Sequence, residues 1–221
     1  MEKVIENLEN IKSAIARAAA RAGRDPAAIK IVGASKFREI GTLRELWSYG
    51  GVEAFGENRV QEFCSKYDED LTWDFIGRLQ TNKVKYLIGK VRLIQSLDRL
   101  ALADEIERLA IKHGVVQECL IEINSGEEAN KGGLIAEEAE AFLKSLEAYE
   151  HIKVRGLMAV APQGIPEDEL RACFSKVGEL FRELGKNRED FDILSMGMSH
   201  DFELAVECGS TMIRPGRILF D

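Results

Sequence analysis

The segment IVGASKFRE, residues 31–39, opens with four small or apolar residues, Ile31, Val32, Gly33 and Ala34, and turns polar at Ser35 and Lys36. An unbroken apolar run, rather than an apolar–polar alternation, marks a strand covered on both faces, and such strands belong to parallel sheets. The lysine that follows admits two readings. The plainer one ends the strand at Ser35 and leaves Lys36 as the first solvated loop residue, because charged side chains are rarely fully buried. The other gives the amine a task. The rest of the chain decides between them.

Outward from this segment, strand and helix patterns alternate. Strands are expected at Lys30–Ser35, Val52–Gly56, Trp73–Gly77, Val91–Ser96, Gln117–Asn124, Val154–Val160, Asp192–Met196 and Thr211–Phe220. An additional first helix carries Ile5, Leu8, Ile11 or Ile15, and Ala18 or Ala19 near helical spacing and stops at Gly23. In DRLALADEIERLAIKHG, residues 98–114, Leu100, Ala103, Ile106 and Leu109 share a face and Gly114 is the stop. Ala139, Phe142, Leu143, Leu146 and Tyr149 form another stripe, and a longer helix runs from Pro166 to Gly185. Strict alternation implies a parallel sheet with right-handed crossovers. Eight such units predict a closed (β/α)8 barrel of the TIM type, with an open doubly wound sheet as the runner-up. No linker, low-complexity tract or short-period repeat asks for a second domain, so residues 1–221 are expected to form one.

The 221 residues are 45% hydrophobic and 31% charged, ordinary globular usage. A formal net charge of −8 gives no overall basic field for nucleic acid or an anionic membrane, so neither is an expected partner. Cys64, Cys119, Cys173 and Cys208 are scattered, with no C-x-x-C pair and no histidine at ligand spacing; they are expected to be reduced, mostly buried thiols, with no metal site. The N-terminus lacks a basic start followed by an apolar run, and no stretch is long and apolar enough to span a bilayer. A cytoplasmic location is the expectation.

A barrel of this kind builds its site at the C-terminal ends of the strands. Read in order, those ends offer Ser35-Lys36, then Glu57, Asn58 and Arg59, then Gln80, Asn82 and Lys83, then QSLD, then Asn124 and Lys131, then Met158, then SMGMS, then Arg214 and Gly216. SMGMS places Gly197 and Ser199 where a helix begins, and RPGR allows close backbone approach at Gly216; each alone reads as a cap or a turn. Together, after strands seven and eight, they describe a phosphate cradle. Arg214 sits between apolar residues in TMIRPGRILF, either as a structural ion pair with Glu122 or Asp74 or as a fixed cation facing a ligand. A lysine at the mouth, partly desolvated and near other cations, loses proton affinity and can form a Schiff base with an aldehyde. Lysine, phosphate cradle and arginine together suit pyridoxal 5′-phosphate (PLP).

Six motifs in order, VGASK at 32–36, FGENRVQE at 55–62, FIGRLQTNK at 75–83, RGLMAVAP at 155–162, LSMGMSHDFELAVECGST at 194–211 and RPGRILF at 214–220, are spread over nearly the whole chain. In these it resembles the single-domain PLP-binding homeostasis proteins, relatives of the alanine racemase N-terminal barrel. The resemblance implies that Lys36 carries the cofactor as an internal aldimine, that Asn58 lies beside the ring and that Met158 lines the pocket. It implies that Ser199 and the Gly216–Arg217 backbone hold the phosphate and that Arg214 approaches the pyridine nitrogen. An arginine there keeps its proton, which leaves the ring nitrogen unprotonated. Four positions depart from the family pattern: Phe37-Arg38-Glu39 after the lysine, Asp74 where a histidine is usual, Arg78 where a proline is common, and Arg217 in place of a small residue. The last leaves only the backbone as the expected phosphate contact there.

In alanine racemases, as the comparison implies, the second acid–base residue is a tyrosine from a C-terminal domain and the partner subunit. This chain ends after strand eight, and its tyrosines, Tyr49, Tyr67, Tyr86 and Tyr149, fall on helices or helix ends. The expectation is therefore a carrier and buffer of PLP in vitamin B6 homeostasis rather than an enzyme, with PLP-dependent apoenzymes as candidate recipients. A weak PLP-dependent amino-acid racemase and a Schiff-base aldolase acting on a sugar phosphate are the alternatives. With the racemases' dimer surface missing, a monomer is expected.

Overall fold

The computed structural model describes residues 1–126, 132–162 and 164–221; Lys131, counted above among the strand-end residues, lies outside them. Eight parallel strands close into a barrel in sequence order: β1 Lys30–Ala34, β2 Ala54–Glu57, β3 Trp73–Phe75, β4 Leu93–Leu97, β5 Gln117–Ile123, β6 Ile152–Ala159, β7 Ile193–Ser195 and β8 Met212–Ile213. Closure comes from β1 against β8, with Lys30 opposite Met212 and Ile31 opposite Ile213. The helices are α1 Glu2–Arg21, α2 Ile40–Tyr49, α3 Val60–Lys66, α4 Leu100–His113, α5 Ala139–Leu146, α6 Glu167–Leu184, α7 Phe202–Glu207 and α8 Arg217–Phe220. The α/β barrel reading therefore holds, with α1 as the additional N-terminal helix. Among the described residues, no helix is long and apolar enough to cross a membrane.

Two apolar layers follow from the alternation of side chains along buried strands. Val32, Ala54, Leu93, Leu120, Met158 and Met212 point inward and fill the barrel. The opposite residues, such as Phe55, Phe75, Ile94, Ile121 and Leu157, pack outward against the helices in the larger core. Helix α1 closes the outer layer near the chain's end: its Asn7 amide donates to the Leu219 carbonyl at 3.2 Å, and Arg21 meets Glu203 and Glu207 of α7.

The structure differs from the expected elements in five places. Strand eight is two residues long, because Pro215 lacks a ladder N–H and the chain turns at Gly216 into α8. The β3–β4 connection is a 3₁₀ segment, Thr81–Tyr86, rather than an α-helix. On α4, Leu102 rather than Leu100 joins the core, and Leu100 is exposed. On α1, Val4 is buried where Ile5 was expected. Of the cysteines only Cys119 is buried; Cys64 on α3 is exposed and Cys173 on α6 is half-buried, because both fall beside the buried stripe of their helix, and Cys208, half-buried, caps the end of α7.

One glycine is fixed by close approach. Gly156 in β6 has φ +145°, and a Cβ built there would lie 1.9 Å from the Ile193 carbonyl oxygen of β7. It follows the register shift between Cys119 and Leu120 on the β5 side. Gly156→Ala is expected to cost about 3 kcal/mol or more, read as a fall in Tm of roughly 6–12 °C by calorimetry.

Candidate functional site

The loop after β1 is held by a buried polar cluster. Ser35 donates its hydroxyl to Glu57 Oε1 at 2.6 Å, and both side chains are fully buried. Lys66, at the end of α3, pairs with the same carboxylate and donates to the Ser35 carbonyl at 2.6 Å and the Arg38 carbonyl at 3.3 Å. Burial outweighs these partners and pushes the Glu57 carboxyl above its ordinary range. Glu62 accepts the Phe37 N–H at 3.0 Å. These bonds hold Phe37 at φ +61°, a left-handed conformation that a bulky side chain adopts only under constraint. Between them stands Lys36. Its backbone sits at the barrel mouth, flanked by Ser35 N–H on the Gly56 carbonyl and Ala34 N–H on the Pro215 carbonyl. Its side chain is exposed, with Nζ 4.6 Å from the centroid of the Phe37 ring. The expected partial desolvation of this amine is thus corrected: the loop turns it to solvent and gives it an aromatic face instead of neighbouring cations.

Ser199, Gly216 and Arg217 come together at the ends of β7 and β8. The Ser199 hydroxyl oxygen accepts from the Gly216 N–H at 3.1 Å and the Ile218 N–H at 3.3 Å. Gly197 makes the turn: its φ is +97°, and a Cβ would approach Ala205 Cβ to 2.7 Å. Arg217 turns from the backbone donors to His200, its guanidinium donating to Nε2 at 2.7 Å, which places the ring proton on Nδ1. His200 was not singled out in the sequence; its place one residue after Ser199 was the only signal.

Arg214 enters the barrel from above and is buried. It forms no ion pair with Glu122 or Asp74; its guanidinium donates to Ser195 Oγ at 2.6 Å and to the Ala159 carbonyl at 2.9 Å. Behind Ser195 runs a chain of bonds across the interior. Ser195 donates to Gln95 Oε1 at 2.6 Å, Gln95 donates to Asp74 Oδ2 at 2.9 Å, and Arg92 grips both Asp74 oxygens at 3.0 and 2.7 Å. Burial lowers Arg214 to about 10, so it remains charged at neutral pH.

Asn58 is exposed at the end of β2, where Gly77 lets the β3 loop abut its backbone; a Cβ there would lie 2.2 Å from the Asn58 carbonyl oxygen. Met158 is buried in the apolar layer inside the barrel. Glu122 stands two residues after inward-facing Leu120 on β5, with Oε2 buried and without a hydrogen-bond partner. Burial and the charge of Asp98 push it up to about 7, against the pull of Arg214, Arg78 and Arg99. Sequence reading saw Glu122 only as a partner for Arg214; its separate position follows from strand register and could not be read locally.

The family model for the alanine racemase N-terminal domain matches residues 6–221. A pyridoxal phosphate homeostasis protein of Aquifex aeolicus is 46% identical over 97% of this chain and 96% of its own length. The chain belongs to the pyridoxal phosphate homeostasis protein family. Among solved structures, an unknown protein from Bifidobacterium adolescentis superposes with TM-score 0.91 at 29% identity, covering 99% of this chain and 95% of that one. PipY of Synechococcus elongatus PCC7942, solved with PLP bound, gives TM-score 0.79 at 32% identity, covering 94% of this chain and 100% of that one.

Within that family frame, the four departures acquire physical accounts. Phe37 supplies the aromatic face beneath Lys36 and Arg38 pairs with Asp221. Asp74 anchors the interior bonds that end at Arg214, a task a histidine would perform without a fixed negative charge. Arg78 is exposed on the rim, and Arg217 is engaged by His200.

Two measurements test these assignments. Lys66→Met leaves the Glu57 carboxylate buried without its cation and is expected to cost about 3–5 kcal/mol in urea unfolding, with most of the loss recovered in the Glu57→Gln/Lys66→Met double variant. Glu122 favours the native state while protonated. Its folded value is raised, so that contribution is present below the ordinary value of 4.5 and is lost as pH rises through about 7. Glu122→Gln is therefore expected to match the wild type at pH 4 and to exceed it by roughly 1–3 kcal/mol at pH 8.5 in the same assay.

Proposed function

We propose that the protein binds PLP covalently on Lys36, as an internal aldimine, and serves in intracellular vitamin B6 homeostasis as a carrier and buffer of the cofactor rather than as an enzyme. Family membership and the PLP-bound structure of PipY support the cofactor. The observation that carries the reading within this chain is the convergence of the Gly216 and Ile218 N–H groups on Ser199 Oγ beside the β1 loop that bears the lysine. Those donors and the hydroxyl suit the oxygens of a phosphate, so the residues fit the group.

When bound, the cofactor supplies an electrophilic aldehyde and an electron-withdrawing ring. The chain's own residues determine what is done with them. Lys36, exposed at the mouth, would present its amine to that aldehyde. Ser199 and the Gly216–Arg217 backbone would hold the phosphate, Asn58 would lie beside the ring, and Met158 would line the pocket. Arg214, charged and fixed by Ser195 and Ala159, would donate to the ring nitrogen and so keep it unprotonated. That weakens the ring as an electron sink. An exposed lysine also lets solvent and incoming amines reach the bond, which favours exchange over retention. The protein is read as a cytoplasmic monomer acting as one domain over residues 1–221, with PLP-dependent apoenzymes as recipients.

A weak amino-acid racemase is the second reading, favoured by one observation: Glu122, whose Oε2 is buried without a hydrogen-bond partner, shares the inward register of Leu120 on β5, which lies across the closed barrel from β1 and its lysine. The deciding experiment is the visible spectrum of purified wild type and Lys36→Ala, followed by borohydride reduction and peptide mass mapping. A yellow wild type whose reduced adduct maps to Lys36, and a variant without it, are expected. A protein that stays colourless after incubation with PLP overturns the cofactor assignment, and a trapped sugar phosphate in its place would point to an aldolase. Inversion of amino acids that is lost in both Lys36→Ala and Glu122→Gln would move the reading from carrier to racemase.

A further inference from the structure

A second cluster of cations stands at the same end of the barrel and has no part in the proposed cofactor site. Arg59 at the start of α3, Arg78 after β3, Lys83 in the 3₁₀ segment and Arg99 at the start of α4 line one open cavity of about 660 Å³. This occurs in a chain whose net charge is −8. Half of the ten exposed arginines among the described residues end on a carboxylate, namely Arg21, Arg44, Arg108, Arg171 and Arg188; Arg59 and Arg78 differ from the other unpaired ones in sharing one concavity with two further cations. Arg59 and Arg78 form no ion pair with any described residue, although Arg78 lies close enough to the buried Glu122 carboxyl to act on its charge. Lys83 Nζ lies 5.7 Å from the centroid of the Tyr86 ring. Arg99 alone is anchored, by Asp98, the Leu79 carbonyl and Thr81 Oγ1. Like charges gathered in one concavity repel each other, and an anion entering it relieves that repulsion.

We infer that this cavity is a binding site for a second anion, a small phosphate ester or pyrophosphate, separate from the phosphate cradle at β7 and β8. The strand order places β3 directly across the barrel from β7, so a single phosphate cannot serve both. The chemistry of the lining fits. Two unpaired guanidinium groups offer planar forks for phosphate oxygens, Lys83 a compact point charge, and Asn58, Gln80 and Thr81 neutral donors. The volume is that of a small-molecule site, which favours a metabolite over a polymer. Asn58 borders both this cavity and the proposed cofactor ring, so an occupant would sit beside the cofactor. The inference goes beyond the proposed carrier role and does not depend on it.

The test is isothermal titration of the purified protein with inorganic pyrophosphate. Saturable binding to the wild type is expected, weakened at least tenfold in Arg59→Ala/Arg78→Ala. The control Arg17→Ala/Arg182→Ala removes the same charge from exposed positions elsewhere and is expected to change affinity less than twofold. All four positions are exposed, so circular dichroism should confirm that both variants stay folded. No saturable binding, equal losses in the two double variants, or an unchanged affinity in Arg59→Ala/Arg78→Ala, as the β7–β8 cradle alone would give, overturns the inference.

Discussion

A charged guanidinium inside a barrel is the constraint around which this interior is arranged. Desolvating Arg214 without compensation would cost several kcal/mol. The chain meets that cost with a line of polar groups instead of a direct counterion. Ser195 of β7 and the Ala159 carbonyl of β6 take two of its donors, and Gln95, Asp74 and Arg92 continue the line through β4 and β3. The polar line crosses a layer otherwise made of Val32, Ala54, Leu93, Leu120, Met158 and Met212. Each member depends on the next for its hydrogen bond, so the guanidinium is held in one place. Whatever binds at the mouth meets a cation whose direction was set before the ligand arrived.

The second constraint is local. Lys36 can be presented from the rim only if the strand ends sharply, and the chain achieves this by forcing Phe37 into the left-handed region. Glu62 and Lys66, both from α3, hold the backbone on either side of it. Such strain, of order 1–3 kcal/mol, persists only where its surroundings fix it. The buried Ser35–Glu57–Lys66 cluster thus links the β1 loop, the end of β2 and helix α3 into one support for the lysine.

The barrel was legible because its strands are unbroken apolar runs at regular spacing with helical stripes between them; that pattern has few solutions. Arg214 was legible as a special residue because it interrupts such a run. Its partners were not. Ser195 lies 100 residues from Gln95, and Gln95 lies 21 from Asp74; the three meet only through closure of the sheet, which no local pattern encodes. Strand eight was drawn too long because ILF after RPGR reads as apolar strand, whereas Leu219 and Phe220 are buried from a short helix instead. The exposure of Lys36 was missed for a related reason: sequence puts the residue at the strand end, but the turn at Phe37 decides where the side chain goes.

The two ends of the barrel treat charge differently. At the N-terminal ends of the strands cations are neutralised in networks: Arg92 by Glu53 and Asp74, Arg155 by Glu118 and Asp192, Lys153 by Asp190. At the C-terminal ends some cations are paired too, Lys66 with Glu57, Arg38 with Asp221 and Arg99 with Asp98, but Lys36, Arg59 and Arg78 form no ion pair with any described residue, and Arg214 and Arg217 are held by neutral groups. An acidic protein could readily have supplied counterions there. Pairing at one end stabilises the fold, whereas leaving cations unneutralised at the other raises the free energy of the empty site and so strengthens its attraction for anions. The direction of the strands therefore gathers the unpaired binding cations at the mouth, where the remaining ion pairs, such as Lys66 with Glu57, hold the loops that carry them.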